Sequence, residues 1–340
     1  MTFPDSFMIG NRKVGGGAPC LVIAEAGVGH FGDIGLGRAL VDLAAEGGAD
    51  VFKTQVFDVD RLIARRAPDW RERLRPRNLT LDQFAELKER CTARGLLFMS
   101  TAHDDSRIDW LRRLDVPALK VGSGERNNPE FLRALAGLSK PMIVSTGMYG
   151  EADVLQAIEA CRSGGAPALG LLHCVTSYPT PDIDLNLRAI ERLKTISGVP
   201  VGWSDHTPDF LACYVAVARG AAIVEKHITV LRDVPNAQDW KVSAGPENLK
   251  EFVQSVRRIE AMLGHGRKEP APSEAPGMGW ATKSMVAARD LPAGHVLAAD
   301  DLVAKRPGDG VRPDHVQTLL GRRLAHAIAS DDPVRPADLA

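Results

Sequence analysis

The sequence predicts an α/β protein built on a (β/α)8 TIM barrel, with a second, smaller domain at the C-terminal end. The first observation is a series of eight short apolar, β-branched runs, each followed by the periodicity of an amphipathic helix. The second is their extent of about 240 residues, which is the usual size of this barrel. The third is a Pro- and Gly-rich stretch, HGRKEPAPSEAPGMG from His265 to Gly279, which has no periodicity and therefore predicts a linker.

Each apolar run predicts one strand of the barrel. The runs are Leu21–Glu25, Val51–Gln55, Leu97–Thr101, Ala118–Gly122, Pro141–Thr146, Leu169–Cys174, Pro200–Asp205 and Ala222–His227. Strands joined through helices lie parallel, so both faces of the sheet are expected to be covered. A doubly wound open sheet has the same alternation of elements, and periodicity alone does not separate the two topologies.

The segments between the runs carry helix signals. Thr80 and Gln83 form a capping box at the start of one helix. The last helix of the barrel is predicted to begin at Pro246 and to end at Gly264. Its expected buried stripe is Leu249, Phe252, Val253, Val256 and Leu263. Ahead of the first strand, Phe7–Val14 is interpreted as a hairpin that closes the lower end of the barrel.

The expected domain boundaries follow from these signals. Residues 1–264 form the TIM-barrel domain, residues 265–282 form the linker, and residues 283–340 form a small C-terminal domain. The last domain is short for an independent hydrophobic core, so we expect it to pack on another part of the assembly.

Charge and composition exclude several classes of function. Lys and Arg total 42 against 43 for Asp and Glu, which gives a net charge of −1, so no nucleic-acid partner is expected. Five separated cysteines without a CxxC pair predict reduced thiols and a cytoplasmic protein. The sequence has neither a leader pattern nor a run of about 20 apolar residues, so no membrane partner is expected.

Polar side chains stand at the carboxyl ends of the predicted strands. They are Glu25, Lys53, Gln55, Thr101, Lys120, Ser123, Ser145, Thr146, His173, Tyr178, Ser204, His206, Glu225 and His227. A single such residue is readily explained as an ion pair or a cap at the barrel rim. The whole ring predicts a catalytic mouth, because active sites of these barrels lie at that end and burying unused charges there is costly.

His206 and His227 are the candidate metal ligands. They lie on consecutive predicted strands, whose backbones run about 5 Å apart, so the two imidazoles can hold one ion. Asp205 and Glu225 are expected to orient the two rings as hydrogen-bond acceptors. No cysteine is placed as a third ligand, so we expect Mn²⁺, with Mg²⁺ or Co²⁺ as alternatives, and not a structural zinc. Two rim histidines that hold no metal are the other interpretation.

Lys53 and Lys120 lie two strands apart and are expected to face a common point above the barrel. Two ammonium groups repel each other unless an anion lies between them, so the pair predicts a small, doubly anionic substrate. Further hydroxyl donors suited to phosphate or carboxylate are Ser123, Ser145 and Ser204. The alternative is a structural network in which the lysines pair with Glu25 or Glu225.

Several motifs stand in order along the chain. They are IAEAGVGHFGD, KTQ at Lys53–Gln55, KVGSGE at Lys120–Glu125, PMIVSTGM at Pro141–Met148, LLHCVTSYPTP at Leu171–Pro181, GWSDHT at Gly202–Thr207 and VEKHIT at Val224–Thr229. Together they resemble the sialic acid synthase family, the bacterial N-acetylneuraminate synthases with their legionaminate and pseudaminate relatives. After the linker, SMVAARDLPAGHVLAADDL and KRPGDG resemble the antifreeze-like SAF domain of that family.

The resemblance implies a metal-dependent condensation of phosphoenolpyruvate with an N-acylated aldose, to give a nonulosonic acid and phosphate. The aldose is N-acetylmannosamine or a related diamino-dideoxy sugar. By matching motifs, His206 and His227 would hold the metal, and Glu25, Tyr178 and Asp239 would address the sugar or move protons. Phosphoenolpyruvate would be held by Lys53, Lys120, Ser123, Ser145 and Ser204, with Gln55 and Thr101 nearby.

The resemblance also implies a homodimer in which the SAF domain covers the partner's active site. Arg306 of KRPGDG would then reach the sugar from the other chain. Gly29 stands where the family pattern has asparagine, which leaves the acceptor sugar open.

Three other functions stay open at this point. They are another phosphoenolpyruvate-dependent sugar acid synthase, a metal-dependent hydrolase, and a sugar-binding homologue without catalysis. A hydrolase usually has more carboxylate ligands to its metal and gives no reason for Lys53 and Lys120.

Overall fold

The chain begins with an antiparallel hairpin of two short strands, β1 (Ser6–Ile9) and β2 (Arg12–Gly15). Its side chains Phe7, Ile9 and Val14 are buried in one apolar cluster with residues of the barrel strands, such as Leu21. The hairpin therefore closes one end of the barrel, as the sequence predicted. The computed structural model describes residues 2–340 of the chain.

The barrel strands follow the hairpin. They are β3 (Leu21–Gly27), β4 (Val51–Val56), β5 (Leu97–Ala102), β6 (Leu119–Val121), β7 (Met142–Ser145), β8 (Leu169–Cys174), β9 (Val201–Asp205) and β10 (Ile223–His227). All neighbours are parallel, and β10 pairs with β3 to close the barrel. The predicted (β/α)8 fold is confirmed, and the doubly wound alternative is wrong, because an open sheet would leave both edge strands unpaired.

Helices connect the strands and pack on the outside of the barrel. They are α1 (Ile34–Glu46), α2 (Val59–Leu62), α3 (Pro68–Leu74), α4 (Leu81–Ala93), α5 (Ile108–Arg113), α6 (Pro129–Ala136), α7 (Glu151–Ser163), α8 (Ala189–Ser197), α9 (Leu211–Ala218) and α10 (Leu249–Leu263). The capping box of Thr80 and Gln83 is present at the start of α4. Leu263 is exposed, contrary to prediction, because it lies in the last turn of α10, where the neighbouring residues are exposed as well.

One compact unit ends at Gly264, and a second runs from His265 to Ala340. The second unit contains α11 (Ala275–Ala281) and an antiparallel pair, β11 (Ser284–Ala287) and β12 (Leu302–Lys305). It has an apolar cluster of its own, formed around residues such as Leu319 and Leu324. The short C-terminal unit therefore buries a small core within itself.

The structure also describes the cysteines and the hydrophobicity of the helices. All five cysteines are buried free thiols. Within residues 2–340, every helix is too short or too polar to cross a membrane.

His30, in the loop after β3, gives a prediction about acid stability. The side chain is 1% exposed, and its Nδ1 accepts a hydrogen bond from the Gly32 N–H at 3.1 Å. Burial lowers the pKa of His30 from 6.5 to about 4, so between these values the unfolded chain binds a proton that the folded chain does not. The free energy of unfolding should therefore decrease as the pH falls through this window, by up to about 3 kcal/mol from this residue.

Urea unfolding of the wild type and of His30→Gln, at about pH 7.5 and about pH 5, measures this contribution. The glutamine keeps an acceptor for the Gly32 N–H but does not titrate, so its stability should change less with pH. The control is His265→Gln, since His265 is exposed. Identical pH dependence in the wild type and His30→Gln would assign the acid sensitivity to other groups.

Candidate active site

The carboxyl ends of the barrel strands surround a cavity of about 180 Å³, which we call the mouth cavity. Most of the predicted site residues line it; those that do not are Thr146, His173, Asp205, Asp239 and Arg306. The predicted residues that line it are Glu25, Lys53, Gln55, Thr101, Lys120, Ser123, Ser145, Tyr178, Ser204, His206, Glu225 and His227. The structure therefore brings most of the predicted site together in one place.

Alternation along the strands explains why these side chains meet. On β10, Glu225 and His227 line the mouth cavity, whereas Lys226 between them faces the outside of the barrel. The register between neighbouring strands then determines which of these residues lie at the same height along the barrel axis. His227 pairs with Glu25 and Glu25 with Lys53, while Gln55 pairs with Thr101 and Thr101 with Lys120.

The two lysines lie on either side of one carboxylate. Lys53 Nζ is 3.5 Å from Glu225 Oε2, and Lys120 Nζ is 3.6 Å from Glu225 Oε1. Lys53 Nζ also lies 2.9 Å from Glu25 Oε2. All four side chains are buried. The ammonium groups converge as predicted, and the pairing with carboxylates that the sequence left as an alternative is present too.

The carboxylates offset the cost of burying the positive charge more fully for Lys53 than for Lys120. Burial opposes the charged form of Lys53, but Glu225 and Glu25 outweigh it and raise the pKa of Lys53. Burial lowers the pKa of Lys120, with Glu225 offsetting part of this effect and Lys53 adding to it. Burial alone would raise the pKa of Glu225, yet the two lysines lower it to about 2. Lys120 is thus the cation that an additional anion would stabilise most.

Serine hydroxyls surround this ion cluster. Lys120 Nζ donates a hydrogen bond to Ser145 Oγ at 2.7 Å, and the backbone N–H of Gly147 donates to Ser123 Oγ at 2.9 Å. Both oxygens act as acceptors here, and each hydroxyl keeps one proton that it can donate to an anion. Ser204 Oγ instead donates to Glu225 Oε1 at 3.0 Å.

Glu25 is held on the other side of the mouth cavity. Gln55 Nε2 donates a hydrogen bond to Glu25 Oε1 at 3.0 Å. Gly27, with φ +55, faces this pair, and a Cβ there would lie 3.6 Å from Glu25 Oε1, Gln55 Nε2 and Asp239 Oδ2. Glycine both tolerates this backbone conformation and leaves space between the three polar groups. Asp239 therefore lies beside Glu25, although it does not line the mouth cavity.

His206 and His227 are neighbours, with ring centroids 5.5 Å apart. His206 Nδ1 lies 2.6 Å from the carbonyl oxygen of Val175, and a proton shared there leaves Nε2 unprotonated. Burial lowers the pKa of His206 to about 3, so the ring is neutral. The ring of Tyr178 packs on His206 with centroids 4.0 Å apart, which fixes its orientation.

These two rings decide whether a metal ion fits the site. Among residues 2–340, no group of three or more His, Cys, Asp or Glu side chains is arranged to hold an ion. Two neighbouring imidazoles, one of them oriented by a backbone carbonyl, nevertheless suit a divalent ion whose other ligands are water and substrate oxygens. His206 and His227 therefore fit an open site with two protein ligands, and the identity of the ion stays a prediction.

Three predictions about neighbouring side chains are wrong. Asp205 does not orient His206, because alternation turns it to the outer side of β9, where it accepts a hydrogen bond from Trp203 Nε1 at 2.8 Å and pairs with Lys226. Glu225 contacts Ser204 and the lysines, not the imidazoles. His173 also faces outward, with Nε2 2.8 Å from the carbonyl oxygen of Leu185.

The mouth cavity is also lined by His103, Cys174 and Thr176, which are not among the predicted site residues. His103 directly follows β5 and Cys174 ends β8, so the rule applied to the other strand ends would have identified both. Burial raises the pKa of the Cys174 thiol to about 11, so it is protonated near neutral pH.

Arg306 belongs to the C-terminal unit. It is exposed and directly follows β12. Its reach toward the sugar bound by a partner chain stays a prediction.

Comparisons with known proteins place this geometry in context. Residues 40–268 match the NeuB family, and residues 282–340 match the SAF domain. The chain is 37% identical to N,N'-diacetyllegionaminic acid synthase of Legionella pneumophila, with 93% of this chain and 95% of that protein covered. It is 32% identical to human N-acetylneuraminate-9-phosphate synthase, with coverages of 95% and 93%.

A solved structure is similar as well. It is the N-acetylneuraminic acid (sialic acid) synthetase of Leptospira borgpetersenii serovar Hardjo-bovis in complex with citrate. Its TM-score is 0.74 at 35% identity, with 82% of this chain and 96% of that chain covered. The similarity thus extends from the motifs to the three-dimensional fold.

Proposed function

Because this chain belongs to the NeuB family and ends in a SAF domain, we propose that it condenses phosphoenolpyruvate with an open-chain N-acylated aldose. The products are a nonulosonic acid and phosphate. The observation that carries the proposal is the mouth cavity, in which two lysines flank one carboxylate beside two neighbouring imidazoles. The family resemblance drawn from the motifs is confirmed. The identities of the acceptor sugar and of the metal ion are part of this proposal.

Charge balance supports a divalent ion in this reaction. The two lysines and the two carboxylates Glu25 and Glu225 cancel, so the buried cluster has no net charge before a substrate enters. Phosphoenolpyruvate adds a carboxylate and a phosphate, and uncompensated negative charge in a buried site is strongly unfavourable. We infer that His206 and His227 hold a divalent cation that offsets most of it, with Mn²⁺ the expected ion.

The phosphoenolpyruvate anion is assigned to the side of the mouth cavity around Lys120. Lys120 is the less compensated ammonium group, Ser145 Oγ contacts it, and Ser123 lines the same cavity. Charge-assisted hydrogen bonds of this kind are stronger than neutral ones. Lys53 and Thr101 complete this side, since Lys53 Nζ lies 3.4 Å from Thr101 Oγ1.

The reaction forms a bond between C3 of the enol phosphate and the aldehyde carbon, after which water adds at C2 and phosphate leaves. A divalent ion on the two histidines would supply Lewis-acid polarisation of the aldehyde. Glu25, held by Gln55 and Lys53, is the carboxylate placed to move a proton from the added water toward the new alkoxide. Tyr178 and Asp239 flank the same side and are assigned to the sugar hydroxyls.

We also propose that the chain acts in the cytoplasm as a homodimer in which the SAF domain covers the partner's mouth cavity. Arg306 would then contact the acceptor across the dimer. Sedimentation of the wild type tests the dimer, and Arg306→Ala should raise the KM for the acceptor without changing the KM for phosphoenolpyruvate. A monomer with full activity would contradict this arrangement.

The decisive assay combines the purified protein with Mn²⁺, phosphoenolpyruvate and either N-acetylmannosamine or a diamino-dideoxy hexose. We expect phosphate release together with a condensed product that mass spectrometry detects, and loss of both after chelation. Phosphate release without a condensed product across several aldoses would favour the hydrolase. Binding of sugar without any turnover would favour the homologue that lacks catalysis.

A further inference from the structure

The imidazole of His103 lines the mouth cavity, and none of the steps assigned above uses it. His103 directly follows β5. Thr101, two residues earlier, lines the mouth cavity as well, whereas Ala102 between them is buried in the apolar cluster outside the strands. The period of two residues therefore places the His103 ring on the inner face, one step nearer the open end of the barrel than Thr101.

The backbone on both sides of His103 is held by hydrogen bonds. The His103 N–H donates to the carbonyl oxygen of Val56 at 3.1 Å, which extends the pairing of β4 with β5. The next residue, Asp104, is buried and accepts hydrogen bonds from the Asp58 N–H at 2.6 Å and the Ser106 N–H at 3.0 Å. The imidazole is thus carried by an ordered strand end, which direct proton transfer requires.

The ring lies beside the segment that carries Ser123. A Cβ at Gly122, the residue before this serine, would lie 3.5 Å from His103 Cε1. The ring of His206 has a backbone partner, the carbonyl oxygen of Val175, but among residues 2–340 no protein group is hydrogen-bonded to the His103 ring. Its nitrogens are therefore available to a substrate in the mouth cavity.

Charged side chains face His103 from several elements. His103 also lines a second cavity, of about 610 Å³, and the charged residues of the two cavities are Glu25, Lys53, Arg66, Lys120, Glu125 and Glu225. Burial and the two lysines lower the pKa of His103 from 6.5 to about 4, so the ring is neutral in the free protein near neutral pH. Phosphoenolpyruvate brings negative charge to these lysines and therefore favours the protonated ring.

The proton balance of the reaction requires a second proton carrier. The water that adds at C2 brings two protons, and Glu25 is assigned to move one of them to the new alkoxide. The other must end on the departing phosphate, because a phosphate trianion is too basic to leave at neutral pH. Its carrier has to lie beside the oxygen that bridges C2 and phosphorus, within hydrogen-bond reach.

We propose that His103 is the general acid for the departure of phosphate. Its imidazole becomes protonated when phosphoenolpyruvate binds, and it donates this proton to the bridging oxygen. The bond between C2 and that oxygen breaks, its electron pair goes to the phosphate, and HPO4²⁻ leaves. The C2 hydroxyl becomes the keto group and returns its proton to the imidazole. The inference rests on the proposed function, because it assigns a residue to one step of that reaction.

The test compares His103→Gln and His103→Phe with the wild type. Glutamine retains hydrogen-bonding groups and phenylalanine retains a ring, but neither transfers a proton. We expect kcat to fall at least about a hundredfold in both variants, with the Kd of phosphoenolpyruvate changed less than about threefold. The control is His265→Gln, which should be fully active, since His265 is exposed and lines neither cavity. Thermal unfolding checks that each variant is folded.

Rapid-quench measurements locate the step that slows. In a single turnover of the wild type, consumption of the aldose and release of phosphate should proceed together. In His103→Gln and His103→Phe, phosphate release should lag behind consumption of the aldose, because the step that they impair follows formation of the carbon-carbon bond.

Calorimetry gives a readout independent of turnover. Phosphoenolpyruvate is titrated into the protein with Mn²⁺ at about pH 7.5, in two buffers that differ in ionisation enthalpy, which gives the number of protons bound with the ligand. We expect the wild type to take up more protons than His103→Gln, since only the imidazole gains one.

The outcomes separate this inference from the proposed function. Condensation by the wild type with an unchanged kcat in either variant would overturn the inference and leave the synthase activity standing. Equal proton uptake by the wild type and His103→Gln, or slow turnover without a lag of phosphate release, would do the same. A wild type that condenses phosphoenolpyruvate with no aldose would overturn the proposed function, and the calorimetry would still show whether His103 gains a proton.

Discussion

Alanine at His206 or at His227 is expected to lower the condensation rate at least about a thousandfold, which corresponds to about 4 kcal/mol of transition-state stabilisation. The reason is that these two rings are the protein ligands that we assign to the divalent ion, and either variant leaves only one of them. Rates measured against Mn²⁺ concentration after chelation should show activation of the wild type and none of the variants. Binding of Mn²⁺, followed by electron paramagnetic resonance, should weaken in parallel.

The control for this prediction separates loss of the ion from loss of the fold. His206→Ala also removes the contact with the Val175 carbonyl, so a stability loss of about 1 kcal/mol is expected and should be measured by urea unfolding. His315→Ala, at an exposed position in the C-terminal unit, should change neither property. Full activity of a chelated double variant at His206 and His227 would remove the ion from the reaction.

Lys53→Met is expected to destabilise the protein by about 3–5 kcal/mol, the range for breaking a buried ion pair by removing one partner. The variant leaves Glu25 without its ammonium partner and Glu225 with only Lys120. Chemical denaturation at neutral pH measures the loss. Titration calorimetry should show weaker binding of phosphoenolpyruvate, because one of the two cations assigned to the anion is gone.

The pH dependence of this loss has a definite sign. In the wild type the pKa of Glu225 is lowered from 4.5 to about 2, so the stability that this carboxylate contributes is present above pH 4.5 and disappears as the pH falls toward 2. In Lys53→Met the carboxylate titrates at higher pH. The stability difference between the wild type and the variant should therefore narrow as the pH falls through this window.

Lys120→Met is the matched comparison. Burial lowers the pKa of Lys120, so its charged form already bears a desolvation cost, and its removal leaves Glu225 paired with Lys53. We expect a smaller stability loss than in Lys53→Met, with weakened binding of phosphoenolpyruvate in both. Equal stability losses in the two variants would contradict the unequal compensation described above.

Local sequence patterns were sufficient to predict the barrel and most of the residues that line its mouth cavity. Each strand is a short apolar run that is buried in the barrel. At the carboxyl end of the strands, the fold leaves polar groups such as Lys53 and Lys120 facing inward. A period of two residues predicts relative orientation along a strand, so once Lys53 faces inward, Gln55 does too. The same period does not say which of two neighbouring residues faces inward, and this explains the errors at His173 and Asp205.

The sequence by itself determined the eight strands, the hairpin beneath them, and the residues from which a site for an anion and an ion can be built. Only the tertiary structure decided that Glu225 lies between Lys53 and Lys120 and that Asp205 pairs with Lys226 outside the barrel. The physical reason is that distances across the mouth depend on barrel closure and strand register, which arise from pairing between residues far apart in the chain.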